Sequence, residues 1–250
     1  MVFADFRKLL DKKDIRFMLT CIPAVSIIIL GYFLNIIGLV SVVLWPTLGL
    51  AALFGTTWMR KKYSIKFDYY FRAFFHMLCG IVIVFVGFYS KDIVMLLAAS
   101  MFSIFGLNSI LERLNIQTAF SFTKEQRDKK TSHYVSGLYW ITSSLFVLVL
   151  FPMYVALTSI LVLAISDPTA KLIGGSVGRK SNPLNMRKTV EGSITCFLTS
   201  FVIVYVFFDV YAALLAAFFV ALVEALQKRI DDNLALPPVV SLAVYARYLF

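Results

Sequence analysis

Apolar residues fall in long, nearly uninterrupted blocks, and polar residues gather in the short gaps between them, a pattern unlike the alternation of a half-buried strand. Blocks of roughly 20 residues suit helices that cross about 30 Å of hydrocarbon with every backbone polar group satisfied internally. Nine such blocks occur, over 17–35, 36–59, 72–90, 93–112, 134–151, 153–173, 192–208, 210–229 and 234–250. The prediction is an all-α, polytopic membrane bundle of about nine helices, forming one domain over 17–250. In residues 1–16, Phe3, Phe6 and Leu10 share a helical face, with Arg7, Lys8, Asp11 and Lys12 largely elsewhere, which predicts an amphipathic helix lying on the leaflet. Acids among the early bases and a second block close behind the first favour a retained first helix over a signal peptide.

Composition agrees with this pattern. The chain has 250 residues, 60% of them apolar and 15% charged, too few polar groups to clothe a water-soluble globule. Cys21, Cys79 and Cys196 lie in or beside apolar blocks without paired spacing, and His76 and His133 are far apart, so neither a disulfide framework nor a zinc site is expected.

Charge sets the orientation. If the nine blocks cross in alternation, 22 of the 24 Lys and Arg residues fall on the side of the N-terminus, and only Lys91 and Arg247 fall opposite. The positive-inside rule makes the crowded face cytoplasmic. The net charge of +10 is thus concentrated on one face with no basic soluble domain to bind nucleic acid; anionic headgroups or a polyphosphate substrate are the expected partners. The longest polar gap, Thr123 to His133, is either a solvated loop or a mobile lid.

The same face collects polar residues at block ends: Arg72 and His76, Glu112, Gly137, Asp167 with Lys171, Lys188 with Glu191, Glu224 with Lys228, then Asp231, Asp232 and Asn233. Charges at the bilayer edge are costly unless paired or hydrated, so each is either an interfacial anchor or a functional group. The acids in "EALQKRIDD" and "SDPTAK" are hard oxygen ligands of the kind Mg²⁺ takes together with substrate phosphates. The stretch "GGSVGRKSNPLNMRK" complements them. Gly174, Gly175 and Gly178 allow backbone amides to approach an anion, and Arg179, Lys180, Arg187 and Lys188 can neutralise it. It is not a P-loop, because Arg179 stands where that motif requires glycine before its lysine. "KTVEGS" then opens a helix whose N-terminus also favours phosphate. Acids for a metal, with bases and glycines for phosphates, predict nucleotide phosphoryl chemistry at a membrane surface.

The order of these tracts resembles a known family. Asp167 with Ala170, Gly174 with Gly178 and Arg179, Lys188 through Ser193, and Asp231 through Leu234 with Pro237 are similar to the motifs of the CTP-dependent lipid kinases. That group includes dolichol (polyprenol) kinase, the fungal-type diacylglycerol kinase and phytol kinase. "RAFFHMLCG" resembles the family's Arg-Lys-x-x-His helix, with Ala73 in place of the lysine, and "SGLYW" resembles its Ser-Gly segment. The resemblance spans roughly residues 68–245. Its first half is shared with the CDP-diacylglycerol synthases, but their closing Lys-Asp-x-Gly and Pro-Gly-His-Gly-Gly signatures are replaced here by "DDNLALP".

The resemblance implies transfer of the γ-phosphoryl of CTP to the hydroxyl of a membrane lipid alcohol, a reaction of positioning and charge neutralisation. It implies a catalytic set of Asp167, Lys188, Asp231 and Asp232, with Mg²⁺ held on the triphosphate by Asp167 and one or both of Asp231 and Asp232. Arg179 and Lys188 would meet phosphate oxygens, Asn233 and Glu191 would orient them, and Lys171, Gly174, Gly178, Lys180, Thr189 and Gly192 would complete the nucleotide site. Asp232 or Asp167 would take the hydroxyl proton, and Arg72, His76, Glu112 and Glu224 would support the site. The lipid, entering sideways between helices, is a polyprenol, a diacylglycerol or phytol. Two rivals stand beside this reading: cytidylyl transfer to phosphatidate, and a transporter whose sixth block is broken at "DPTAKLIGG".

Overall fold

In the computed structural model, residues 65–113, 133–226 and 231–249 are described. The N-terminal segment 1–16, the blocks at 17–35 and 36–59, the polar stretch 123–132 and Lys228 lie outside them. The described residues form α1 Ile65–Tyr89, α2 Lys91–Arg113, α3 His133–Leu150, α4 Met153–Ser176, α5 Val190–Phe207, α6 Val210–Leu226 and α7 Asp232–Leu249. Among the described residues the fold is all-α apart from one small antiparallel hairpin, β1 Ser181–Asn182 with β2 Asn185–Thr189, between α4 and α5. Each of the last seven predicted blocks coincides with one helix, although α1 starts seven residues before its block. Two of the helices, α4 and α5, are each long and apolar enough to cross a membrane.

Local chemistry explains the helix starts. Thr189 caps α5 by accepting from the Gly192 amide at 3.2 Å, and Asp209 Oδ1 accepts from the Ala212 amide at 2.8 Å ahead of α6. Asp231 Oδ1 accepts from the Asn233 amide at 3.0 Å at the start of α7. Two helices also continue through proline. Pro168 lies inside α4, which runs without interruption to Ser176, so the break that the transporter reading places at this tract is absent. Pro237 in α7 cannot donate to the Asn233 carbonyl one turn back, and the Ser143 hydroxyl of α3 lies 2.5 Å from that oxygen and takes it.

Helix α4 is the central element, packed against α1, α5 and α7. Leu157, Ile160 and Leu163 on it are fully buried, as are Val204 of α5, Val220 of α6 and Leu236 and Val240 of α7. Small residues permit the closest approaches. A Cβ at Gly80 would lie 2.1 Å from Ala164 Cβ, and one at Gly87 would lie 2.4 Å from a Leu157 methyl. Seven residues forward on α1 thus match seven backward on α4, so the two helices run antiparallel. On α6, Ala212, Ala213, Ala216 and Ala217 make a buried stripe, while Leu214, Leu215, Phe218 and Phe219 face outward.

Candidate functional site

Asp167 is buried in the second half of α4, and its Oδ2 lies 2.6 Å from Lys171 Nζ one helical turn on. Lys171 Nζ is also 3.8 Å from Asp232 Oδ2 at the start of α7. Lys188, on β2, reaches the same Asp232 oxygen at 3.0 Å and Glu224 Oε2 of α6 at 2.5 Å. Asp167, Glu224 and Asp232 each present an oxygen within 4.8 Å of the others. Three helix ends and the hairpin therefore meet in a cluster of three carboxylates and two ammonium groups. Burial disfavours the Lys188 ammonium, but the Asp232 and Glu224 carboxylates outweigh that effect and hold its pKa above the ordinary lysine value.

Two carboxylate oxygens in this cluster, Asp167 Oδ1 and Asp232 Oδ1, are buried without a hydrogen-bond partner, and so is the amide oxygen of the adjacent Asn233. Buried polar atoms are normally paired, and an unpaired carboxylate oxygen is especially costly. Hard oxygens held close together with unused lone pairs fit a divalent cation such as Mg²⁺.

The other predicted residues divide into those near this cluster and those doing local work. Asp231 spends its Oδ1 on the amide and the side-chain nitrogen of Asn233, the latter at 2.8 Å, and the three-oxygen group takes Glu224 instead. Sequence reasoning counted Glu224 among the hard oxygen ligands of "EALQKRIDD", while the resemblance gave it only a supporting place. Gly174, Gly178 and Gly192 pack around Thr189: a Cβ at Gly174 would lie 2.6 Å from Thr189 Oγ1, and one at Gly178 would lie 2.7 Å from the same atom. At Gly192 it would meet the Ala170 carbonyl at 3.0 Å. These glycines lock the end of α4, the hairpin and the start of α5 together. Gly174 and Gly175 are helical, in the last turn of α4, just beyond the predicted block 153–173.

The amides aimed at an anion belong to the next two residues. Arg179 and Lys180 donate their backbone N–H groups to the Glu191 carboxylate at 3.1 and 3.4 Å. Their side chains are exposed on the outer edge of the hairpin. Asn182 was not anticipated. It is buried, accepts from the Leu184 amide at 2.9 Å and donates to Ser193 Oγ at 3.1 Å, tying the hairpin to α5. An asparagine two residues before an amide in a Pro-containing turn was the available signal. Arg72 lies in the first half of α1 and Glu112 in the last turn of α2, and their side chains are outside the described structure. His76 is one turn beyond Arg72, its ring 5.7 Å from that of Trp140 and perpendicular to it.

No protein-family model, curated protein or solved structure matches the chain.

Proposed function

We propose that this chain is a membrane-embedded, CTP-dependent lipid kinase that moves the γ-phosphoryl of CTP to the hydroxyl of a lipid alcohol at the cytoplasmic face. The observation that carries the proposal is the cluster in which Asp167, Glu224 and Asp232 lie within 4.8 Å with Lys171 and Lys188 among them. Opposite charges in one buried place suit a magnesium-bound triphosphate, whose two halves need both.

In this reading Asp167, Glu224 and Asp232 hold Mg²⁺, which when bound offsets the charge of the triphosphate. Lys171 and Lys188 turn toward phosphate oxygens, and Lys188 is placed for this on a strand whose next residue, Thr189, packs against Gly174 at the end of α4. Arg179 and Lys180 meet the outer part of the nucleotide. Asn233, whose amide Asp231 caps at the start of α7, orients the neighbouring Asp232 carboxylate.

The membrane part of the proposal rests on the surface. Ile194, Leu198, Val202 and Val206 are exposed along α5, and Phe218 and Phe219 along α6, as lipid contact requires. At the ends of the helices away from the cluster, Tyr89, Tyr154, Tyr205, Tyr211 and Tyr248 are exposed together, in the manner of an interfacial aromatic belt.

Reconstituted protein given CTP, Mg²⁺ and a panel of diacylglycerol, polyprenol and phytol tests the reading. Label from the γ-phosphorus should enter the lipid and label from the α-phosphorus should not; the reverse would identify a cytidylyltransferase. Asp167→Asn should lower turnover at least a hundredfold, and turnover near that of the unaltered protein removes Asp167 from the site.

A further inference from the structure

Beside the charged cluster lies a second pair of unsatisfied groups. Nε2 of His76 and Nε1 of Trp140 are both buried, and neither has a hydrogen-bond partner, although their rings are only 5.7 Å apart. Trp140 is itself 93% buried, at 7% relative exposure. Such nitrogens are seldom left bare, because a buried donor or acceptor without a partner costs more than a typical hydrogen bond contributes.

Three contacts fix where the pair sits. Gly80 of α1 abuts Ala164 of α4, and the site of its missing Cβ is 3.9 Å from Trp140 Cζ2. Because α1 and α4 are antiparallel, His76, one turn before Gly80, comes level with Asp167 and Pro168, one turn after Ala164. Asp167, Lys171 and Asp231 accordingly all act electrostatically on the imidazole. On the other side, Ser143, one turn beyond Trp140 on α3, bonds the Asn233 carbonyl next to Asp232. The pair is thus flanked by α4 near Asp167 on one side and, through Ser143, by the start of α7 next to Asp232 on the other.

The chemistry of the two nitrogens is complementary. An indole N–H can only donate, and a neutral imidazole offers its unprotonated nitrogen only as an acceptor. One hydroxyl satisfies both at once, since it donates its hydrogen and accepts on a lone pair, with a second lone pair left over. Resting on the kinase reading, we propose that His76 and Trp140 are the seat of the acceptor alcohol: Trp140 Nε1 donates to the lipid oxygen, and His76 Nε2 accepts its hydrogen. The free lone pair then forms the bond to the γ-phosphorus. The bond from that phosphorus to the bridging oxygen breaks with its electron pair on CDP, and the hydroxyl proton passes to His76 Nε2. The assignment leaves Asp167 and Asp232 to the metal and gives the base role to a group that meets the alcohol oxygen directly.

Two experiments separate this inference from the reading beneath it. With dioctanoylglycerol and geranylgeraniol as acceptors, Trp140→Phe keeps an aromatic ring, smaller than the indole, and removes the N–H. It should raise KM for the alcohol about tenfold and leave KM for CTP unchanged. His76→Gln should lower kcat roughly a hundredfold or more, with CTP binding intact. Equal losses for CTP and alcohol, or none, overturn the assignment. The second measurement needs no turnover. In ¹⁵N-tryptophan-labelled protein in micelles, the indole resonance that Trp140→Phe abolishes should shift on adding geranylgeraniol and stay still with the hydrocarbon lacking the hydroxyl. Identical responses to both mean that the pair holds only water and the assignment fails. A hydroxyl-specific shift without phosphorylation of any alcohol would retain the site and sink the kinase reading alone.

Discussion

At the scale of the residue, the decisive arrangement is two lysines distributed among three carboxylates. Lys188 touches both Glu224 and Asp232, so Lys188→Met leaves two buried acids facing each other with less compensation. The expected loss is roughly 3 kcal/mol of stability, read by thermal unfolding in detergent, and Glu224→Gln in the same chain should recover part of it. The pH dependence follows from the raised Lys188 pKa. A cation favoured by folding stabilises fully below its ordinary value of 10.5, and that contribution disappears only as pH climbs through the higher folded value. Stability between neutrality and pH 9 should therefore be insensitive to this group, as denaturant midpoints at several pH values would reveal. Lys171→Gln removes a competitor for Asp167 and Asp232. It should tighten Mn²⁺ binding measured alone by electron paramagnetic resonance while weakening CTP binding. Weaker binding of both, or of neither, means the lysine does not compete with the metal.

At the scale of the element, prolines and their neighbours act as matched sets. Ser143 supplies the hydrogen bond that Pro237 denies the Asn233 carbonyl. Ser143→Ala should cost about 1–3 kcal/mol by stranding that oxygen, and adding Pro237→Ala should reduce the cost because the alanine amide can serve it. Additive losses in a double-mutant cycle would show the two residues to be independent. This coupling was invisible in the sequence, where 94 positions separate Ser143 from Pro237. The helices were legible because block length alone marks them. The hairpin was not: "SNPLNMRKT" has a turn signal at Asn182 and Pro183 but no alternation, and a two-residue strand leaves too short a pattern. Nor was the packing role of Gly174, Gly178 and Gly192, since a glycine that admits a neighbour and one that admits an anion look alike until the neighbour is seen.

At the scale of the whole molecule, the cluster and the tyrosine belt lie at opposite ends of the helices. On the proposed reading these ends face the cytoplasm and the far side. With the three native cysteines replaced, single cysteines at Arg179 and Tyr211 should react with an impermeant maleimide from opposite sides of sealed vesicles. One at Phe218 should react from neither. Labelling of positions 179 and 211 from one side would refute the orientation. The acids and bases were legible as a group because the count of charges between blocks put them on one face. Which acids converge was not, because no spacing reveals how α6 is rotated to aim Glu224 inward or that Asp231, just ahead of α7, spends an oxygen on Asn233.

Helix α4 is enclosed by neighbours, two of which, α5 and α7, follow it in the chain. On the membrane reading proposed above, a ribosome delivering the protein would release α4 into lipid before those neighbours were made, with an acid and a base already aboard. Asp167 and Lys171 stand one turn apart and join at 2.6 Å with no help from any other segment. On that reading the nascent helix carries its own counterion, and the later strand and helices close around a pair that is still joined once the fold is complete.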